Sequence, residues 1–219
     1  MAIRALLFDF DGLILDTETA SRAGWEWAYR EHGHELPEEK WALIVGTTGA
    51  WSPMDYLEEL VGEPLERDAL NERRYAHELS LIEAEELRPG ISDYLAAADE
   101  RGLKRAIVSS SSRRWIDMHL ARLEREVGWD VILTADGNHS RAKPSPVMYL
   151  EALELLGVHA DEAVVFEDSL HGVRAGKAAG IYTVAIPNSV TREYGLEEAD
   201  VVVQSLAELP PDELFARFS

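Results

Sequence analysis

Residues 8–12 have the sequence FDFDG and follow the apolar residues Leu6 and Leu7. A short, continuously apolar run is typical of a strand that is buried on both faces of a parallel sheet. Asp9 and Asp11 then lie at the end of this strand, where each carboxylate raises the pKa of the other unless a positive charge is close. Mg²⁺ is such a charge and takes oxygen ligands. The stretch therefore predicts a parallel sheet with a metal site at the end of its first strand; the alternative is that one of the two aspartates caps the following helix or turn.

The same pattern of a short apolar run, polar or acidic residues and a helical stretch recurs along the chain. The six predicted strands are Ile3–Phe8, Arg105–Ser109, Asp130–Leu133, Ala163–Phe166, Tyr182–Ile186 and Val201–Val203. Amphipathic stretches between them predict the helices Ile91–Arg101, Trp115–Glu126, Val147–Leu156 and Val173–Ala179. This alternation predicts an α/β fold, a doubly wound parallel sheet with a Rossmann-like core. Ligands bind such sheets beyond the carboxyl ends of the strands.

The segment from residue 17 to residue 86 interrupts the alternation, because it has helical patterns and no strand pattern. The predicted helices are Thr17–Arg30, Glu38–Val45, Pro53–Leu60 and Leu65–Ala84, with glycines in the turns between them. We therefore expect residues 1–16 and 87–219 to form an α/β core domain. Residues 17–86 are expected to form a small all-helical cap domain, inserted after the first strand at the ligand-binding end of the sheet.

The composition limits the partners that this protein can have. The chain has 219 residues, with 21 lysines and arginines against 41 aspartates and glutamates, and a formal net charge of −20. This balance argues against nucleic acid or an anionic membrane as a partner, because both require basic surface. The chain has no cysteine and no apolar run long enough to span a bilayer. We expect a cytoplasmic monomer or weak homodimer that acts on a small molecule.

Three further polar clusters follow predicted strands. The hydroxyls of Ser109–Ser112 suit phosphate oxygens at a helix N-terminus, but they also suit plain capping of the next helix. Lys143, which precedes Pro144, is a phosphate ligand or a solvated surface lysine. Glu167 and Asp168 are metal ligands or helix caps. Both interpretations of each cluster stay open while the cluster is considered alone.

Together, the order and placement of these clusters resemble the motifs of the haloacid dehalogenase-like hydrolases, a superfamily dominated by Mg²⁺-dependent phosphatases. Residues 9–12 resemble its first motif, the serine run its second, Lys143-Pro144 its third and Glu167-Asp168 its fourth. The resemblance covers essentially the whole chain. Residues 9–17 look like the branch that includes the β-phosphoglucomutases, which carries a small helical cap between the first and second motifs.

The resemblance implies a role for each matching residue. Asp9 would be the nucleophile that forms an aspartyl-phosphate. Asp11 would protonate the leaving group and then activate the water that hydrolyses this intermediate. Mg²⁺ would be held by Asp9, the backbone carbonyl of Asp11 and Asp168, with Glu167 as a further or water-mediated ligand.

The resemblance also implies that a serine hydroxyl and Lys143 bind the phosphoryl group. The serine run leaves two registers open, with either Ser109 or Ser110 as the hydroxyl of the second motif. Arg113 matches the basic residue that follows this motif in the mutases, and this match favours Ser110.

The predicted cap departs from the mutases in its charged residues. The mutases have a lysine and an arginine around a glycine-serine turn. Here Val45 stands at the lysine position, and the arginine falls on Gly49 or is lost to a small insertion. No lysine or arginine lies between Lys40 and Arg67. We therefore expect a phosphatase that hydrolyses a small, sugar-type phosphate monoester through an aspartyl-phosphate. A sugar-phosphate mutase similar to β-phosphoglucomutase is the alternative.

Substrate contacts are expected from the cap. Thr17 and Ser21 lie near its first hinge, while Gly46 and Trp51 belong to a glycine-rich loop that is expected to face the site. Trp51 would stack on a sugar ring or another flat leaving group. An alternative from another class is a phospho-accepting receiver-type signalling domain, which also combines acids, a hydroxyl and a lysine at the ends of a parallel sheet. Receivers lack a helical segment after their first strand, and this argues against that alternative.

Overall fold

The structure is a computed structural model that describes residues 2–47, 51–125, 128–192 and 194–218. Thr48 and Gly49 of the predicted cap loop, and the last residue of the predicted helix Trp115–Glu126, lie outside the described residues. In the part of the chain that is described, no helix is both long enough and apolar enough to cross a lipid bilayer.

Among the described residues, six parallel strands form one sheet, and the sequence predicts all six. The strands are β1 Ala5–Phe8, β2 Lys104–Ser109, β3 Val131–Thr134, β4 Ala163–Glu167, β5 Tyr182–Ala185 and β6 Val201–Val202. Their order is β3-β2-β1-β4-β5-β6, so β1 pairs with β2 on one side and with β4 on the other. The winding reverses between β1 and β4, and doubly wound sheets bind their ligands at this switch point.

Helices alternate with the strands on both sides of the switch point. The helices of the described residues are α1 Glu18–Glu31, α2 Glu38–Trp41, α3 Pro53–Val61, α4 Arg67–Ile82, α5 Ile91–Arg101, α6 Arg113–Arg122, α7 Val147–Leu156, α8 Leu170–Ala178 and α9 Pro211–Ala216. Five of them, α1 to α5, lie between β1 and β2 in the chain, and the first four fall within the predicted cap segment of residues 17–86. The predicted α/β, Rossmann-like core is therefore confirmed.

The side chains of β1 alternate between two hydrophobic cores. Leu6 and Phe8 pack in the core on one face of the sheet, and Ala5 and Leu7 pack in the core on the other face. All four are fully buried. Because β1 is apolar on both faces, the first polar side chain after it is Asp9, at the carboxyl edge of the sheet.

Helices α1, α3 and α4 also pack in a hydrophobic cluster of their own. Tyr29 of α1, Leu57 of α3 and Leu70 of α4 are buried in it. The Tyr29 hydroxyl also donates a hydrogen bond to the carbonyl of Pro53 at 2.8 Å. A separate cluster fits a cap domain of residues 17–86, although the division from a core of residues 1–16 and 87–219 stays a prediction.

The predicted helix Glu38–Val45 is shorter in the structure, because α2 ends at Trp41. The chain continues in tight turns, in which the N–H of Ile44 bonds to the carbonyl of Trp41 at 3.0 Å, three residues back. Gly46 then adopts a φ of +74°, which L-residues with a side chain rarely adopt. These turns direct residues 44–47 toward the carboxyl edge of the sheet.

The segment that returns to the sheet is tied to the β1 end by Arg88. Its guanidinium donates hydrogen bonds to the carbonyl of Gly12 and, at 3.0 Å, to the carbonyl of Pro187. The backbone N–H of Arg88 also bonds to the carbonyl of Ile14 at 3.0 Å. One side chain thus joins the connections that follow β1 and β5.

Candidate active site

Three buried carboxylates meet at the carboxyl ends of β1 and β4. Asp9 follows β1, Glu167 is the last residue of β4 and Asp168 comes next. The register of the two strands places Phe8 opposite Phe166, and one ligand oxygen from each carboxylate lies within 4.8 Å of the others. The parallel register therefore makes one cluster out of acids that are distant in the sequence.

Lys143 places a positive charge against this cluster. Its Nζ donates a hydrogen bond to Oδ1 of Asp9 and lies 2.6 Å from Oε1 of Glu167. The side chain is 1% exposed, so the two carboxylates replace the water that an ammonium normally binds. Lys143 lies between β3 and α7, and its backbone N–H donates to Oγ of Ser110 at 3.2 Å. The sequence alone did not exclude a surface lysine here, and the structure does.

If all three carboxylates are ionised, the one ammonium leaves two negative charges in excess. The pKa values of the acids and of the lysine reflect this excess. Burial raises the pKa of Asp9 to about 8, although Lys143 opposes the rise. Burial also raises the pKa of Asp168 well above its usual value, and the charge of Asp9 adds to the shift. Burial acts to lower the pKa of Lys143, but the carboxylates of Asp9 and Glu167 outweigh it and raise that pKa. The lysine stays charged and does not balance the cluster by itself.

Two oxygens of the cluster fit a metal ion. Oε2 of Glu167 and Oδ1 of Asp168 are buried without a hydrogen-bond partner among the described residues. The other oxygen of each carboxylate has a donor: Asn188 donates to Oδ2 of Asp168 at 2.7 Å, and the Tyr149 hydroxyl donates to Oε1 of Glu167. Buried acceptors without donors are costly, and hard divalent cations take carboxylate oxygens as ligands. One divalent cation would satisfy these oxygens and balance the excess charge.

The Asp11 carboxylate lies outside this cluster and accepts four hydrogen bonds. Thr17 Oγ1 and Trp115 Nε1 donate to its Oδ1 at 2.8 and 2.7 Å. Ser109 and Ser111 donate to its Oδ2 at 3.2 and 2.6 Å. The two acids of the FDFDG stretch thus have different surroundings, with Asp9 facing a lysine and Asp11 facing neutral donors.

The two candidate serines of the second motif face different groups. Ser109 donates to Asp11, whereas Ser110 accepts from the backbone N–H of Lys143 and donates to the carbonyl of Gly46 at 3.3 Å. Ser110 therefore lies nearer the segment that carries Lys143. Its predicted role as the phosphate-binding hydroxyl remains a prediction.

The loop after α2 contacts the edge of the acidic cluster. The hydroxyl of Thr47 donates to the carbonyl of Lys143. Gly46 approaches Ser169 so closely that a Cβ at residue 46 would lie 2.1 Å from Oγ of Ser169. Only glycine can adopt this positive φ and lie so close to Ser169. The loop therefore needs glycine at position 46 to reach the site.

A cavity of about 700 Å³ opens beside Asp11, between α1, α4 and α6. The predicted contact residues Thr17 and Ser21 line it. Residues that the sequence did not indicate as site residues also line it, among them Trp25, Arg74, Tyr75 and Glu78. Residues 74, 75 and 78 share one face of α4. Polar residues three and four positions apart in the sequence could have indicated this shared face.

The charges on the cavity wall are partly compensated. Arg74 donates to Glu78 at 2.6 Å, and its guanidinium lies 4.6 Å from the ring centre of Trp25. Arg114 of α6 also lines the cavity. Burial raises the pKa of Glu18, at the start of α1, to about 8, and the charge of Asp11 adds to the rise.

Gly46 and Trp51 do not belong to the lining of this cavity. Trp51 packs against the buried cluster of Trp41 and Val45, and its ring centre lies 5.9 Å from that of Tyr56. Its apolar surface is therefore used in packing with neighbouring aromatic and aliphatic side chains. A stacking contact between Trp51 and a substrate stays a prediction.

Comparisons with known proteins point to one family. The family model for haloacid dehalogenase-like hydrolases matches residues 6–186. "Putative phosphatase YhcW" of Bacillus subtilis is 41% identical over 207 residues, which cover 94% of each chain. Hexitol phosphatase A of Escherichia coli is 32% identical over 216 residues, 95% of this chain and 94% of that protein. A solved structure of a "putative beta-phosphoglucomutase" from Thermotoga maritima superimposes with a TM-score of 0.75 at 27% identity, over 94% of this chain and 96% of that chain.

The contact between Gly46 and Ser169 predicts that Gly46→Ala disturbs the site more than an alanine at a glycine of similar φ that has open space around it. We expect its kcat/KM on p-nitrophenyl phosphate, a generic phosphate ester, to fall by at least about tenfold, because an added Cβ displaces the loop from Ser169 and Ser110. Gly62→Ala is the matched control: its φ is +82°, but an added Cβ there meets no atom within 4 Å. Equal losses in both variants would mean that backbone strain alone explains the effect.

Proposed function

Because the chain belongs to the haloacid dehalogenase-like hydrolases and is a phosphoric monoester hydrolase, we propose that it releases phosphate from a small, sugar-type ester with the help of Mg²⁺. Asp9 forms an aspartyl-phosphate in this proposal. The observation that supports it most directly is the buried cluster of Asp9, Lys143, Glu167 and Asp168. A receiver-type signalling domain is not retained, because the family match and the phosphatase relatives support an enzyme.

Asp9 acts as the nucleophile in the first half of the reaction. Its carboxylate oxygen bonds to phosphorus, the bond from phosphorus to the leaving oxygen breaks, and Asp11 gives that oxygen its proton. Lys143 and Ser110 bind the oxygens of the transferring group and hold it in line with Asp9. In the second half, Asp11 takes a proton from water, the hydroxide displaces Asp9 from phosphorus, and inorganic phosphate leaves.

The metal site lies at the buried acidic cluster, where Lys143 offsets only part of the negative charge. Asp9, Asp168 and the carbonyl of Asp11 hold Mg²⁺ in this proposal, with Glu167 as a further or water-mediated ligand. The bound ion supplies positive charge next to the transferring phosphoryl group, as phosphoryl transfer generally requires. The orphaned oxygens of Glu167 and Asp168 support this assignment.

The cavity beside Asp11 suits a leaving group with several hydroxyls. Its wall offers polar side chains, among them Ser21 and Glu78, next to the aromatic rings of Trp25 and Tyr75. Rings of this kind pack against the C–H faces of sugars while the polar groups bond to hydroxyls. The name of the Escherichia coli hexitol phosphatase is consistent with a sugar-type substrate. We keep cytoplasmic location and a monomer or weak homodimer as parts of the proposal.

We expect that EDTA abolishes hydrolysis of p-nitrophenyl phosphate and that added Mg²⁺ restores it. Asp9→Asn should lower kcat by at least about a thousandfold, because the amide is not a nucleophile and binds metal weakly. The matched control is Asp161→Asn, an exposed position just before β4, at the other edge of the sheet. Full activity with EDTA, or in Asp9→Asn, would disprove the proposed function.

The pKa of Glu18 predicts a pH dependence of substrate binding. Glu18 is protonated at neutral pH and gains its negative charge as the pH rises through about 8. Since that charge repels a phosphate dianion, KM should increase above this pH, by about tenfold per pH unit where only the protonated form binds. Steady-state kinetics on both sides of pH 8 measure this. The rise in KM should be smaller in Glu18→Gln, because Asp9 is then the carboxyl that still gains charge in this pH range, and an equal rise in this variant would contradict the assignment.

The mutase alternative rests on a specific observation as well. Arg74 and Arg114 give the cavity cations that the loop between Lys40 and Arg67 lacks, and a structural neighbour is described as a putative β-phosphoglucomutase. Glu78 neutralises Arg74, however, and Asp11 and Glu18 line the same cavity. A second phosphate is therefore poorly supported.

We expect phosphate release to be faster than isomerisation. With β-glucose 1-phosphate and a trace of the 1,6-bisphosphate, free phosphate should form faster than glucose 6-phosphate. Coupled assays for the two products measure both rates in the same sample. Faster formation of glucose 6-phosphate would establish the mutase instead.

A further inference from the structure

We propose that Trp115 is a positioning residue, whose indole N–H fixes the orientation of the Asp11 carboxylate toward the leaving group. This inference rests on the proposed function, in which Asp11 transfers the proton. Trp115 lies in the first turn of α6, and Ser112 caps that helix by accepting from the Trp115 backbone N–H at 3.3 Å. The helix start thereby determines where the indole lies.

The indole differs chemically from the other three donors of Asp11. The hydroxyls of Thr17, Ser109 and Ser111 rotate and accept hydrogen bonds as well as donate them, whereas an indole N–H only donates. The distance from Nε1 of Trp115 to Oδ1 of Asp11 is 2.7 Å. The indole is therefore the donor with a fixed direction, and it determines where Oδ1 lies.

Packing on two sides fixes the indole ring itself. His119, one turn further along α6, contacts it edge to face, with 4.2 Å between ring centres and 79° between ring planes. Neither ring nitrogen of His119 has a hydrogen-bond partner among the described residues. Burial lowers the pKa of His119 to about 4, so it packs as a neutral ring at ordinary pH.

The other contact comes from the segment between β1 and β2. Tyr75 of α4 places its ring centre 5.9 Å from that of Trp115, and both residues line the cavity beside Asp11. A leaving group bound in this cavity therefore meets the indole and the Asp11 carboxylate on the same wall. Fixing the carboxylate there positions its proton for the leaving oxygen, and misplacement of a reacting group by about 1 Å lowers the rate by up to about a hundredfold.

Trp115→Phe separates positioning from packing, because it removes the N–H and keeps an aromatic ring between His119 and Tyr75. The loss of kcat/KM in this variant should depend on the leaving group of the ester. An alkoxide needs a proton to leave, whereas p-nitrophenolate leaves without one. We expect kcat/KM to fall by about tenfold or more for an alkyl ester such as glycerol 2-phosphate, and by less than about threefold for p-nitrophenyl phosphate.

Trp129→Phe is the matched control, since it removes an indole N–H that donates to the backbone carbonyl of Arg125 at 3.0 Å. It should change both kcat/KM values little and equally. Equal losses on the two esters in Trp115→Phe, or no loss, would overturn the positioning role. Absence of Mg²⁺-dependent hydrolysis in the wild type would instead be the failure of the proposed function.

A crystal structure of Trp115→Phe tests the inference without any assay. We expect the Asp11 carboxylate to rotate away from its wild-type orientation or to occupy two orientations. A single carboxylate orientation identical to that of the wild type would overturn the inference, whatever the activity of the enzyme.

Discussion

The structure depends on one electrostatic constraint, the burial of three carboxylates against a single lysine. Asp9, Glu167 and Asp168 lie at the carboxyl edge of the sheet with Lys143 between two of them. Such a cluster is unstable by itself, because desolvation penalises every charge in it. The pairing of β1 with β4 brings the acids together, and the segment between β3 and α7 brings the lysine. The remaining imbalance is the physical argument for a divalent cation.

The same constraint explains why Asp9 and Asp11 differ although they are only one residue apart. Asp9 continues the direction of β1 into the buried cluster. Asp11 lies beyond the strand, where Thr17, Trp115 and two serines surround it with neutral donors. Two carboxylates in such different environments fit the two tasks that the proposed function assigns to them, nucleophilic attack for Asp9 and proton transfer for Asp11.

Much of this arrangement could be predicted from the sequence. The six strands follow from their apolar runs, and the parallel topology brings the acids and serines at the strand ends to one edge, whereas the place of Lys143 followed from the family resemblance. Asn188 was missed although it follows β5 at the same edge, because Pro187-Asn188-Ser189 indicates a turn but does not indicate that the Asn188 amide contacts Asp168. The places of Trp115 and Trp51 could not be predicted from the sequence either, because tryptophan packs in many contexts. Only the tertiary structure shows that Trp115 donates to Asp11 and that Trp51 packs near Tyr56.

The central claim is that the buried acidic cluster is a divalent-cation site, and Mn²⁺ binding followed by electron paramagnetic resonance tests it most directly. The free Mn²⁺ signal is lost on binding, so a titration gives the stoichiometry and the affinity without turnover. We predict one tight site per chain in the wild type, and loss of that site in a folded Asp168→Asn variant. Equal Mn²⁺ affinity in the two proteins, or no tight site in the wild type, would contradict the claim.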